Sequence, residues 1–260
     1  MGGPVPYLVA ALLAGVTLAC GGGSASNSSP RETPRSEPAP AESRAAPAPD
    51  DRPVVLAFGD SLSAGHGVDP GLSYPDFLQK EIDADGYRYR VVNQGISGDT
   101  TSGGVERIEN GLSVKPEVVI VELGGNDGLR GLPLSITGKN LDEIVSRFQQ
   151  AGVKVILAGI TLPPNYGPDY IRDFEAIYKN LAVTHNAPLI PFLLEGVASN
   201  PALMQRDGIH PTAEGNRRVS ALVWKTLRPL LKARLRRTRS AASDQRSAHD
   251  LSFYLSGAEG

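Results

Sequence analysis

Val54-Val55-Leu56-Ala57-Phe58 is an unbroken apolar run, followed at once by Gly59-Asp60-Ser61. A strand that is apolar at every residue, rather than at every second one, must be covered on both faces, which is the situation of a strand inside a parallel sheet. Comparable runs recur at Tyr89-Arg90-Val91-Val92, Val118-Val119-Ile120-Val121, Val153-Lys154-Val155-Ile156-Leu157 and around Pro188-Leu189-Ile190. Between them lie segments with helical apolar spacing, from Tyr74 to Ile82, Leu141 to Ala151, Tyr170 to Val183 and Ala213 to Leu231. Strand alternating with helix predicts one doubly wound α/β domain of three layers, with a mainly parallel five-stranded sheet and its ligand site at the carboxyl ends of the strands.

The flanks read differently. Residues 1–20 carry an uncharged apolar stretch, Tyr7 to Val16, too short to span a bilayer but fitting a signal-peptide core. It ends in Thr17-Leu18-Ala19-Cys20, which resembles a bacterial lipobox, so Cys20 is expected to carry acyl chains that anchor the chain to a membrane. A plain secretory signal with an incidental cysteine is the alternative. Residues 21–52 are Gly, Ser, Pro, Ala, Glu and Arg with almost no large apolar side chain, a composition that cannot recover its ordering entropy by burial and reads as a disordered tether. The folded domain is expected over 53–233, and the basic, then polar, stretch 234–260 reads as a disordered tail. A secreted or periplasmic, lipid-anchored monomer is the resulting expectation.

Composition removes several function classes. The net charge of -2 gives no concentrated basic surface for nucleic acid. Cys20 is the only cysteine, so neither an intrachain disulfide nor a cysteine metal site can form. The four histidines fall at 66, 185, 210 and 249 without a ligand cluster around them, and no metal or cofactor is expected.

Ser61 stands on a turn at the end of the first strand, just before a predicted helix, where a hydroxyl is accessible and backbone N–H groups face any anion at the helix start. A simple helix cap by Asp60 or Ser61 would look the same. In Asp207-Gly208-Ile209-His210-Pro211 an acid three residues before a histidine can accept from its Nδ1–H and leave Nε2 free as a base, although a surface turn has this composition too. Together the two stretches supply what each lacks, because a serine needs a base and a base needs an orienter. Donors for an oxyanion are sought in two further stretches at strand ends, Asn93 to Thr100 and Glu122 to Asp127. His66, in Gly65-His66-Gly67, lies close to Ser61 in sequence but is expected in a loop, outside the chemistry. Glu122 and Asp127 are read as supporting or helix-capping groups rather than a catalytic carboxylate pair.

These blocks, with Leu162-Pro163-Pro164-Asn165-Tyr166-Gly167, resemble the SGNH/GDSL hydrolases, and more closely the bacterial periplasmic thioesterase I/protease I/lysophospholipase (arylesterase) group, over about residues 53 to 231. The resemblance implies a flavodoxin-like α/β/α sandwich. By it Ser61 is the nucleophile, His210 the base and Asp207 its orienter, and the oxyanion donors are the N–H groups of Ser61 and Gly98 with the side chain of Asn126. It implies a serine esterase or thioesterase acting on acyl or aryl esters, lysophospholipids or acyl-CoA among them, with Leu129 to Ile136 and Leu162 to Pro168 lining the acyl groove. A carbohydrate O-deacetylase on the same fold and a non-catalytic lipid- or carbohydrate-binding lipoprotein are the rival readings.

Overall fold

The computed structural model describes residues 50–232. The signal segment, Cys20, nearly all of the tether and the basic tail lie outside the described residues. Strand β1, Val54–Gly59, is buried at every position, so both of its faces are covered. It feeds directly into the short helix α1, Ser61–Ala64. Helix α2, Tyr74–Ala84, starts in a capping box: the Ser73 hydroxyl accepts from Asp76 N–H and the Asp76 carboxylate accepts from Ser73 N–H. Its apolar stripe of Tyr74, Leu78 and Ile82 is buried.

Strand β2, Arg90–Asn93, is followed by α3, Thr101–Glu106, and α4, Ile108–Ser113. Next come β3, Pro116–Glu122, α5, Gly125–Leu129, and α6, Leu134–Gln150. Then follow β4, Lys154–Ala158, a 3-10 turn at Pro164–Tyr166, and α7, Pro168–Thr184. The two-residue β5, Leu189–Ile190, precedes α8, Ala213–Leu227, which is capped by Thr212 accepting from Gly215 N–H.

The strands form one sheet in the order β2-β1-β3-β4-β5, every pairing parallel. Two groups of helices complete the three layers: α2 packs on α8, while α3, α4 and α7 each pack on α6. The aromatic contact of Phe58 with Phe148, edge to face at 5.3 Å, ties β1 to α6. Each fully buried Val, Leu or Ile of β1 and β3 removes enough apolar surface from water to contribute roughly 1.5–3 kcal/mol.

The expected strands and helices are present, with three boundary differences, the first being that the last helix, expected to reach Leu231, ends at Leu227 and gives way to a 3-10 turn at Arg228–Leu230 that contains Pro229. Helix α6 begins at Leu134 rather than Leu141, because Pro133 at φ -58° starts it without a side-chain cap and the apolar stripe appears only deeper in the helix. At the other edge of the sheet, β5 keeps only two paired residues. No helix among the described residues is long and apolar enough to cross a membrane.

Candidate active site

Because β2 and β3 lie on opposite sides of β1, the chain leaves β1 in one direction and returns in the other, which opens a crevice at the carboxyl end of the sheet. Ser61 stands there as the first residue of α1. Asp60 before it is buried and caps the helix, its Oδ1 accepting from Leu62 N–H at 3.1 Å. The cap reading and the exposed-serine reading of this turn therefore both hold, since Asp60 caps while Ser61 faces the crevice.

The loop before α8 brings His210 to it. The His210 Nε2 to Ser61 Oγ distance is 2.8 Å, and His210 Nδ1 lies 2.7 Å from Asp207 Oδ2. The other Asp207 oxygen accepts from the backbone N–H groups of Ile209, at 2.9 Å, and His210, at 3.0 Å. Burial opposes ionisation of Asp207, but the His210 imidazole and these two N–H groups outweigh it and hold the carboxyl down at about 2. An ionised Asp207 only accepts, so His210 Nδ1 carries a proton, and in the neutral imidazole Nε2 is then left to accept from the Ser61 hydroxyl. Such an arrangement can take the serine proton and stabilise the imidazolium that results.

Gly98 and Asn126 line the same crevice. Gly98, at φ +83°, turns the loop after β2, and its carbonyl accepts from Arg130 Nη2 at 2.9 Å. The Asn126 amide nitrogen donates to Asp60 Oδ2 at 3.0 Å and to the Asp99 carbonyl at 2.9 Å. Both Asn126 hydrogens are thus engaged, and an oxyanion arriving in the crevice would share one of them rather than find it free. The five predicted site residues, Ser61, Gly98, Asn126, Asp207 and His210, all line the crevice or contact a residue that does.

Further residues stand around the site, among them Glu122 and Asp127, expected from the sequence as supporting or helix-capping groups, and His66, expected outside the chemistry. The His66 ring lies 4.5 Å, centroid to centroid, from that of His210. Gln205 Nε2 joins the two lips of the crevice, donating to the His66 carbonyl at 2.7 Å and the Pro211 carbonyl at 2.9 Å. Glu122, at the end of β3, is fully buried beneath α1: its Oε2 accepts from Ser63 Oγ at 2.8 Å, Asp60 N–H at 3.1 Å and Ser63 N–H at 3.2 Å, and Oε1 has no partner. Burial, and next the Asp60 carboxylate beside it, push Glu122 well above the usual carboxyl range, and burial raises Asp60 too, so the fold favours keeping a proton on this pair. Asp127 accepts from the N–H and hydroxyl of Thr101 and so fastens the start of α3. Among the described residues no group of three or more His, Cys, Asp or Glu side chains is placed to hold a metal ion.

The crevice widens into a cavity of about 720 Å³ with mostly apolar walls. Leu62, Leu129, Ile160, Leu162, Phe192, Leu194 and Met204 supply much of that wall. The groove predicted from 129–136 and 162–168 needs correction: only Leu129 and Leu162 to Pro164 contribute, because Leu134 to Ile136 are taken into α6 and the chain leaves the wall after Pro164 in the 3-10 turn. The opposite wall, from Phe192 to Met204, carried no motif in the sequence that marked it.

Comparison with known proteins agrees with this architecture. Residues 57–218 match the model of the GDSL-like lipase/acylhydrolase family. Esterase TesA of Pseudomonas aeruginosa is 46% identical over 179 residues, which cover 68% of this chain and 89% of that one. The thioesterase 1/protease 1/lysophospholipase L1 of Escherichia coli K12 is 39% identical over 179 residues, 68% of this chain and 85% of its own. The crystal structure of TesA superposes with a TM-score of 0.67 at 45% identity, covering 68% of this chain and 99% of that one. With the serine block, the Gly98 loop and the Asp-x-x-His loop all inside the matched region, the chain belongs to the GDSL-like lipase/acylhydrolase family.

Proposed function

We propose that the chain is a serine esterase and thioesterase that hydrolyses acyl or aryl (thio)esters through an acyl-enzyme. Ser61 Oγ attacks the ester carbonyl carbon while His210 Nε2 takes its proton. The tetrahedral oxyanion is held by the N–H groups of Ser61 and Gly98 and by the Asn126 amide. Collapse breaks the bond to the leaving alcohol or thiol, which receives the proton from His210. Water, deprotonated by the same imidazole, then releases the acid and returns Ser61. Asp207 keeps His210 in the required tautomer throughout.

The observation that carries this reading is the unbroken chain of hydrogen bonds from Asp207 through His210 to Ser61, opening into an apolar cavity. The same walls favour a fatty acyl or aryl group, such as that of a lysophospholipid or acyl-CoA, over an acetylated sugar, whose hydroxyls would lose water against Leu162, Phe192 and Met204 without replacement. The relatives named esterase and thioesterase point the same way.

The test is hydrolysis of p-nitrophenyl esters from acetate to palmitate by the domain and its Ser61→Ala variant. Loss of at least roughly 10³-fold in rate in the variant is expected, with the best substrates among the longer acyl chains. Equal rates in the two proteins would sink the nucleophile assignment, and a preference confined to acetate would favour the deacetylase. The reading also takes 53–233 as the catalytic domain, exported behind residues 1–20 and tethered through an acylated Cys20. Mass spectrometry of the membrane-associated protein and of Cys20→Ala tests that anchor, which an unmodified Cys20 would remove.

A further inference from the structure

Arg107 lies at the junction of α3 and α4 and is 8% exposed. Every nitrogen of its guanidinium is used. Nε donates to Asp99 Oδ2 at 2.7 Å, Nη1 to the Gln94 carbonyl at 2.8 Å and Nη2 to the Gly59 carbonyl at 2.9 Å. The flat face of the guanidinium rests on the Phe58 ring, 4.0 Å from its centroid. These partners belong to two different pieces of the site. Phe58 and Gly59 are the end of β1, immediately before Asp60 and Ser61, while Gln94 and Asp99 bracket the loop that carries Gly98.

We propose that Arg107 is a positioning residue for the oxyanion hole, clamping the Gly98 loop to the strand end that presents Ser61. The proposal rests on Ser61, Gly98 and Asn126 being the oxyanion donors of the proposed hydrolase. Two of those donors are main-chain N–H groups on separate loops, and their separation is set by whatever joins the loops. A planar fork with three donor directions fixes both distance and orientation, which an ammonium on a flexible stem cannot do. The third donor depends on the same clamp, since the Asn126 amide is aimed partly by the Asp99 carbonyl and Asp99 is held by Arg107. One side chain that touches no substrate thereby registers all three donors.

If Arg107 acts on the oxyanion, its removal must weaken the transition state and leave acyl-chain binding alone. Arg107→Lys keeps a charge for Asp99 but loses at least one of the two carbonyl contacts. Its kcat is expected to fall roughly 10- to 100-fold, less than complete loss of a donor, with KM within about 2-fold of wild type. The separating readout is a pair of inhibitors with one alkyl chain. A trifluoromethyl ketone adds Ser61 Oγ to its carbonyl carbon and forms a hemiketal oxyanion, whereas the matching alcohol only fills the apolar cavity. Ketone affinity should fall by the same factor as kcat, and alcohol affinity should not change. Arg107→Ala, which leaves a guanidinium-shaped space on Phe58, should regain rate on adding guanidinium at concentrations well below denaturing.

Wild-type kcat and ketone affinity in Arg107→Lys, with Ser61→Ala inactive, would overturn the clamp and leave the hydrolase reading intact. Parallel loss of ketone and alcohol affinity would mean that Arg107 supports the fold in general, and would equally overturn it. Should the Arg107 variants fail to fold, the near-isosteric Asp99→Asn decides the matter: a fall in kcat and ketone affinity at constant alcohol affinity supports the clamp, and no change refutes it.

Discussion

Replacing Glu122 by Gln probes the buried carboxyl beneath α1. Glu122 is wholly inaccessible, three donors converge on one of its oxygens, and the other has no partner. A neutral carboxyl tolerates that situation far better than a carboxylate does. Burial and the nearby Asp60 raise it well above the ordinary glutamic acid value of 4.5. The folded chain therefore keeps a proton that the unfolded chain releases. The wild type is most stable below the unfolded value, and its stability declines as pH rises from there toward the folded value, by about 1 kcal/mol or slightly more per pH unit. Gln supplies the same acceptor to Ser63 and Asp60 without titrating, so Glu122→Gln lacks this slope. Urea unfolding of both proteins at about pH 5, 5.5 and 6 should show the variant gaining on the wild type by roughly 1 kcal/mol across that span. A constant difference between the two would mean that the wild-type fold retains no proton here that the variant lacks, and would refute the reasoning.

Asp207→Asn should lower kcat by roughly 10⁴-fold, because an amide lets the imidazole settle in the wrong tautomer. In the wild type, with Asp207 held at about 2, the acid limb of the kcat/KM profile cannot belong to it, and a limb that vanishes in Asp207→Asn would contradict this. Asn126→Ala is expected to lose roughly 10²- to 10³-fold in kcat with little change in KM, read from steady-state kinetics on one p-nitrophenyl ester. The two glycines of the Gly98 loop should respond differently to alanine. At Gly95 a Cβ would meet Ala64 N at 2.3 Å and Ser63 Cβ at 2.8 Å, so Gly95→Ala pushes on the serine helix and should cost about 1–3 kcal/mol together with most of the activity. At Gly98 the nearest atom would be Arg130 Nη2 at 3.7 Å, and the cost is the backbone alone, about 1–2 kcal/mol for alanine at φ +83°; thermal unfolding of both variants separates the cases.

Local pattern made the sheet legible. Val54 to Phe58 and Val118 to Val121 announce covered strands because every residue of each is apolar, and the Asp207–His210 turn announces itself because acid and base are three residues apart. What stayed hidden depends on pairs distant in sequence. Arg107 reaches Gly59 across 48 positions, Glu122 reaches Ser63 across 59, and Gln205 reaches His66 across 139. None of these residues repeats with a helix or strand period or sits in a motif that names its partner. The cavity wall from Phe192 to Met204 was missed for a related reason, since it lies between β5 and α8 in irregular structure whose apolar residues carry no period. The early start of α6 was obscured by Gly138 and by polar residues in its first two turns.

The hydrogen bond between Ser61 and His210 joins residues 149 positions apart. The two side chains therefore meet only when the segment preceding α8 has docked against the start of α1. A chain stopped by translation anywhere before His210 possesses a serine and no base, so a ribosome-bound fragment is chemically silent however well its first strands have paired. On the proposed mechanism, turnover consequently reports that synthesis has passed His210 and that its loop has docked, and C-terminal truncations into the Asp207–His210 loop should behave as nulls rather than as weakened enzymes.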